Sequence, residues 1–137
     1  MTTNATVRTR LLIIDDDVLV QKALWRALEA AGFEVVQAFD GAAGLALALA
    51  ERFDLIVLDV SMPRMDGRDV LRRLRQNPTT EDVPVLIYSG RADHLARLTG
   101  LQLGADDYIE KPFEAGQLVA KIRRLILKRA DAANPSP

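Results

Sequence analysis

The chain has no cysteine, so disulfides, thiolate metal sites and cysteine nucleophiles are excluded outright. It also lacks an excess of either charge. Eighteen basic and nineteen acidic residues leave a formal net charge of −1, which argues against a nucleic-acid-binding surface spread over the domain. Long hydrophobic runs are missing as well. Residues 1–10 are polar, and the apolar run that follows, Leu11-Leu12-Ile13-Ile14, is four residues long before three acids interrupt it. That is neither a signal peptide nor a membrane span, so the cytoplasm is the expected location and no membrane insertion is expected. Internal repeats and long low-complexity segments are absent too. What remains is an ordinary globular composition, 49% hydrophobic and 27% charged, in 137 residues: one domain, long enough to bury a core.

Apolar runs alternate with helical patterns along the chain. Residues 11–14 and 55–58 are four-residue runs rich in branched side chains, the signature of strands buried on both faces of a parallel sheet. Between them, Val20, Leu24, Ala27, Leu28 and Ala31 fall at helical spacing over 18–31, with Asp17 placed to cap and Gly32 to stop that helix. Residues 34–39 read as a strand and 40–52 as an alanine-rich helix. Residues 54–59 form the third strand, 66–76 a helix closed by Asn77-Pro78, 83–88 a strand, and 92–103 a helix capped by Gly104. A short strand over 107–110 and a last helix over 114–129 complete the pattern, with Leu118, Ile122, Leu125 and Ile126 as that helix's buried stripe. Residues 1–9 are expected to be a disordered arm and 130–137 a flexible tail around one domain, 10–129. Five strands alternating with five helices, joined by right-handed crossovers, make a doubly wound α/β fold.

The carboxyl ends of parallel strands share one rim, where open α/β sheets place their ligands. The first strand brings Asp15 and Asp16 there, the third Asp59, the fourth Ser89, and the fifth leads to Lys111. At about 5 Å and an effective dielectric near 20, each carboxylate pair costs on the order of 3 kcal/mol, which one lysine cannot offset. A hard divalent cation can, and Mg²⁺ favours one or two carboxylates together with waters and phosphate oxygens. The acids exclude other phosphate sites. A dinucleotide fold or a P-loop needs glycines after the first strand, and three aspartates there would repel a bare phosphate.

With the strand-end acids, the loop that follows Asp59, Ser89 and Lys111-Pro112-Phe113 together, the chain resembles the CheY-like receiver domains of bacterial two-component response regulators over roughly residues 10–128. The resemblance implies a five-stranded sheet of order 2-1-3-4-5, the order for which CheY is itself a standard example. It implies Asp59 as phospho-acceptor and Mg²⁺ (or Mn²⁺) as cofactor, held by Asp16, Asp59 and the Ser61 backbone carbonyl, with Asp15 acting through water. Ser89 matches the family's hydroxyl position, Tyr108 its switch aromatic and Lys111 its lysine. Ser61 and Arg91 occupy positions that tune dephosphorylation in the family, so the lifetime does not transfer.

His94, the only histidine, lies on a predicted surface helix, so the phosphoryl donor must come from outside. A sensor histidine kinase or a histidine phosphotransfer protein is the implied donor. An outward stripe of Leu19, Ala23 and Arg26, with Pro112 and Phe113 adjacent, is the expected docking surface. The output face is expected where the fourth helix, fifth strand and fifth helix meet, serving a target protein or a second copy of the chain. A hydrolase using an aspartyl-phosphate would need a second acid where Ser61 stands and a substrate cap, and neither is present. The expectation is thus a signalling phospho-acceptor rather than an enzyme, a single-domain regulator with no output domain.

Overall fold

The apolar runs become the strands of one parallel sheet in the computed structural model, which describes residues 8–61, 67–90, 99 and 101–133. β1 (Arg10–Ile14), β2 (Glu34–Ala38), β3 (Leu55–Asp59), β4 (Val85–Ser89) and β5 (Asp107–Glu110) lie side by side in the order β2-β1-β3-β4-β5. The expected strand order is therefore observed, and the fold is the flavodoxin-like, CheY-like α/β sheet. Four helices are described: α1 (Val18–Ala30), α2 (Gly41–Ala50), α3 (Gly67–Gln76) and a C-terminal helix (Ala115–Ala133). The helix expected over 92–103 lies largely outside the described residues, within which Thr99, Leu101 and Gln102 are helical.

Side chains alternate across a strand, and here both faces are covered. Leu12, Ile14, Ile56, Leu58, Val85 and Ile87 pack with Val70, Leu71 and Leu74 of α3. Leu11, Ile13, Leu55, Val57, Leu86 and Ile109 pack with Leu24 and Leu28 of α1 and with Leu118, Ile122 and Leu125 of the C-terminal helix. The residues of β1, β3 and β4 that precede the rim are consumed by this core, so the polar groups that follow are delivered together at its carboxyl edge.

Several boundaries differ from the sequence reading for local reasons. β4 begins at Val85 rather than residue 83 because Pro84 has no N–H for the ladder, though its carbonyl accepts from Ile56 N at 2.9 Å. Its last residue is Ser89, paired with Glu110. The C-terminal helix continues to Ala133, past 129, through alanines that favour helix, and the first proline comes only at 135. Arg8 and Thr9, assigned to the N-terminal arm, are tied down. The Arg8 guanidinium donates to the Gly32 and Phe33 carbonyls and to Glu29, and the Thr9 carbonyl accepts from Glu34 N. Residues 1–7 and 134–137 lie outside the described residues. Gly32 and Gly104 have φ of 98° and 111°, the left-handed conformation expected at these helix ends. Asp17 caps α1 by accepting from Leu19 N and Val20 N. Among the described residues no helix is long and apolar enough to cross a membrane.

One buried polar side chain fixes the place where β1 ends. Gln21 of α1 is fully buried, and its amide nitrogen donates to the carbonyls of Ile13, Asp15 and Ala38 at 3.1, 3.2 and 2.8 Å. Its carbonyl oxygen accepts from Gln37 at 3.1 Å. α1 thereby grips the strand end that carries the acids. Replacing Gln21 by leucine keeps the volume but removes the amide donor from these carbonyls, although that of Ala38 keeps a bond from Asp15 N at 3.1 Å. Gln21→Leu is therefore expected to lower stability by about 2 kcal/mol in urea denaturation.

Candidate functional site

Asp15, Asp16 and Asp59 meet at the rim, each offering a carboxylate oxygen within 4.8 Å of the other two. Asp15 is fully buried, Asp59 is 4% exposed and Asp16 faces solvent. The Asp15 Oδ1 accepts from Asp17 N at 2.9 Å, and its Oδ2 accepts from the Tyr88 hydroxyl. Asp59 receives two bonds on Oδ1, from Ser61 N and Ser61 Oγ, both at 2.9 Å. Its Oδ2 faces the Lys111 ammonium at 3.6 Å. Three hard oxygen donors in one half-buried concavity match the coordination chemistry of a hard divalent cation, and the residues present fit such an ion.

Lys111 is brought in by β5, its N–H donating to the Ser89 carbonyl at 2.7 Å. Ser89 is buried at the end of β4, and its hydroxyl has no hydrogen-bond partner among the described residues. All five predicted rim residues thus come together. Tyr108 lies apart from them, 39% exposed on β5, its ring 5.9 Å from the Lys121 ammonium. On α1, Leu19, Ala23 and Arg26 are exposed as expected. Pro112 is exposed too, whereas Phe113 is half-buried against the α1-side core and meets the Tyr88 ring edge-on at 6.0 Å. Arg91 and His94 lie outside the described residues.

Two contributors escaped the sequence reading. Tyr88 looked like the last apolar residue of a strand, yet its hydroxyl reaches the acids and its ring lies 4.7 Å from the Lys111 ammonium. The signal was available: alternation continues from Leu11 and Ile13 to Asp15, from Leu55 and Val57 to Asp59, and from Leu86 to Tyr88, all toward the α1 side. Gly67 fell within the helix expected over 66–76, with no role of its own at the site. It is the first residue of α3, and a methyl group there would fall 2.6 Å from the Asp59 carbonyl oxygen and 2.7 Å from the Val60 Cα. Only glycine lets α3 start this close to the strand end.

The family model for the response regulator receiver domain matches residues 11–123. The chain belongs to this family. Among solved structures, a CheY-like receiver domain from Methanospirillum hungatei superposes with a TM-score of 0.85 at 29% identity, over 91% of this chain and 98% of that one. CheY4 of Vibrio cholerae superposes with a TM-score of 0.81 at 29% identity, over 87% and 99%. The transcriptional regulatory protein PrrA of Mycobacterium tuberculosis is 44% identical over 127 residues, 93% of this chain and 54% of PrrA. RpaA of Synechocystis, a DNA-binding dual master transcriptional regulator, is 43% identical over 122 residues, 89% of this chain and 50% of RpaA. The chain spans about half the length of these curated relatives. The expectation of a single-domain regulator therefore finds no support.

Electrostatically, Asp15 is the costly member of the receiver's acid cluster. Burial pushes its carboxyl up to about 6 from 3.8, and the nearby Asp59 charge adds to this. The bonds from Tyr88 and Asp17 and the Lys111 charge pull the other way. For the Tyr88 phenol, burial raises the pKa, so it stays protonated and remains a donor. An acid whose folded pKa lies above its unfolded one binds more protons in the folded state between the two values. Stability then falls as pH rises through that window. In chelator, unfolding free energy should drop from pH 4 to pH 7 more steeply in wild type than in Asp15→Asn, by urea denaturation at each pH.

Proposed function

We propose that this receiver domain takes a phosphoryl group on Asp59 from a phosphohistidine of a sensor kinase or phosphotransfer protein, with Mg²⁺ as cofactor. The observation that carries this reading is the position of the Asp59 carboxylate, within 4.8 Å of two further acids and 3.6 Å from the Lys111 ammonium. Two Ser61 donors hold Oδ1, which leaves Oδ2 as the better nucleophile. Oδ2 attacks phosphorus, the new O–P bond forms as the P–N bond breaks, and the electron pair leaves with the imidazole nitrogen. Phosphoryl transfer needs mainly alignment and neutralisation of charge. Asp16, Asp59 and the Ser61 carbonyl would hold Mg²⁺ directly and Asp15 through water, consistent with both Asp15 oxygens being engaged by protein donors. Bound there, Mg²⁺ or Mn²⁺ would supply positive charge against the phosphoryl oxygens. Lys111, a compact charge beside Oδ2, would pair with another of those oxygens. The kinase would approach over the rim along the Leu19, Ala23 and Arg26 stripe. On this reading the domain is a signalling acceptor, not an enzyme that turns over a substrate.

The buried Ser89 hydroxyl supports a switch. A phosphoryl oxygen on Asp59 would give it an acceptor, and its inward movement would open space for the Tyr108 ring, now outside, to enter. That change alters the face made by β5, the C-terminal helix and the helical residues near 99–102, where a target protein or a second copy would bind. Coupling of this kind is typically worth about 1–3 kcal/mol and shifts populations between existing states.

Incubation with acetyl phosphate and Mg²⁺ should add one phosphoryl group, labile to hydroxylamine, by intact-mass measurement. Asp59→Ala should take none, and phosphate on Ser61 or Ser89 would overturn the assignment. For the switch, beryllofluoride should shift the NMR signals of Tyr108 in wild type. In Ser89→Ala, which still takes phosphate, that shift should fall by more than half; an equal response would make Ser89 a mere strand-end residue.

A further inference from the structure

Tyr88 is a fully buried residue between the acid cluster and Lys111, aligned in the β3–β4 ladder with Asp59 itself. A residue with only a packing task there needs no hydroxyl, because the surrounding core of Leu11, Ile13, Val57, Leu86 and Leu118 is wholly apolar. The phenol points out of that core into the site and donates to Asp15 Oδ2. Asp17 N–H holds the other oxygen, so the carboxylate is clamped at both ends and its remaining lone pairs are directed at fixed positions. The same ring carries the Lys111 ammonium on its face, 4.7 Å from the centroid, while Phe113 braces it at an interplanar angle of 83°. One side chain therefore touches both Asp15 and the lysine that faces Asp59 Oδ2.

We infer that Tyr88 is a positioning residue of this site, its hydroxyl orienting Asp15 for the cation and its ring seating Lys111 beside Asp59. The inference rests on the reading that the acids hold Mg²⁺. Partners that orient a metal-facing group from behind commonly control affinity nearly as strongly as the ligands do. A cation over an aromatic face in a half-buried setting gains further stabilisation, which here holds the lysine toward Oδ2 instead of solvent.

The test is a pair of substitutions read by Mg²⁺ binding, using titration calorimetry on the whole chain. Tyr88→Phe keeps the ring and removes the hydroxyl, and should raise the Mg²⁺ dissociation constant about tenfold. In an Asp15→Asn background the same change should have no effect, because the group it orients no longer bears the charge. An unchanged constant in Tyr88→Phe, or an equal rise in both backgrounds, would overturn the assignment, the second outcome marking the hydroxyl as merely structural. Tyr88→Leu, which also removes the ring, should label with acetyl phosphate about fivefold more slowly than Tyr88→Phe at saturating Mg²⁺, and equal rates would remove the claim on Lys111. Should Tyr88→Leu fail to fold by near-ultraviolet circular dichroism, the Tyr88→Phe comparison decides alone. A wild type that neither binds Mg²⁺ nor takes phosphate would instead sink the functional reading, which keeps the two failures apart.

Discussion

Mutual repulsion among Asp15, Asp16 and Asp59 is the constraint around which the rim of this molecule is arranged. Carboxylates this close, two of them buried, are unfavourable in an empty fold at any effective dielectric appropriate to a protein. Every neighbouring group mitigates that: backbone N–H groups of Asp17 and Ser61, the Ser61 and Tyr88 hydroxyls, and the Lys111 ammonium at 3.6 Å. None of these removes the excess negative charge. The site is thus held in a condition that a cation would relieve. The core supplies the rigidity needed to keep the three acids in place against their own repulsion.

Much of this was legible in the order of residues. Four-residue apolar runs ending in acid placed β1 and β3, and the rim followed from the parallel topology, which brings Asp15, Asp16, Asp59, Ser89 and Lys111 together without any knowledge of side-chain packing. Helix ends were legible where a residue has a distinct conformational reason to be there, as with Asp17, Gly32 and Gly104. Less visible were features that depend on a third dimension. Tyr88 has the composition of core, and its chemical role appears only when the β3–β4 register sets it opposite Asp59. Gln21 sits on a helix stripe where a leucine would fit the pattern equally well, and only the carbonyls at the end of β1 and β2 call for an amide. The length of the C-terminal helix was underestimated because a run of charged residues and alanines carries no apolar period at its end.

The relation between the two sides of the sheet has a division of labour. The α3 side is largely apolar and serves as the anvil of the fold, while the α1 side passes from core into chemistry within one step of the alternation, from Val57 to Asp59 and from Leu86 to Tyr88. On the proposed function, docking of a donor over α1 and chemistry at the rim would share one layer of the structure. In PrrA and RpaA the matching region makes up about half of a longer regulator.

The close approach of Gly67 to the backbone of Asp59 gives that layer a mechanical connection to the other face. With no side chain between them, the first turn of α3 is seated directly on the carbonyl of the acceptor residue and the Cα of the next. The backbone at Asp59 and Val60 and the first residue of α3 are consequently packed against each other at one spot. A displacement of the Asp59 backbone meets that contact directly. It is passed to a helix whose buried edge, Val70, Leu71 and Leu74, is keyed into the sheet, and the helix resists it as a rigid rod does.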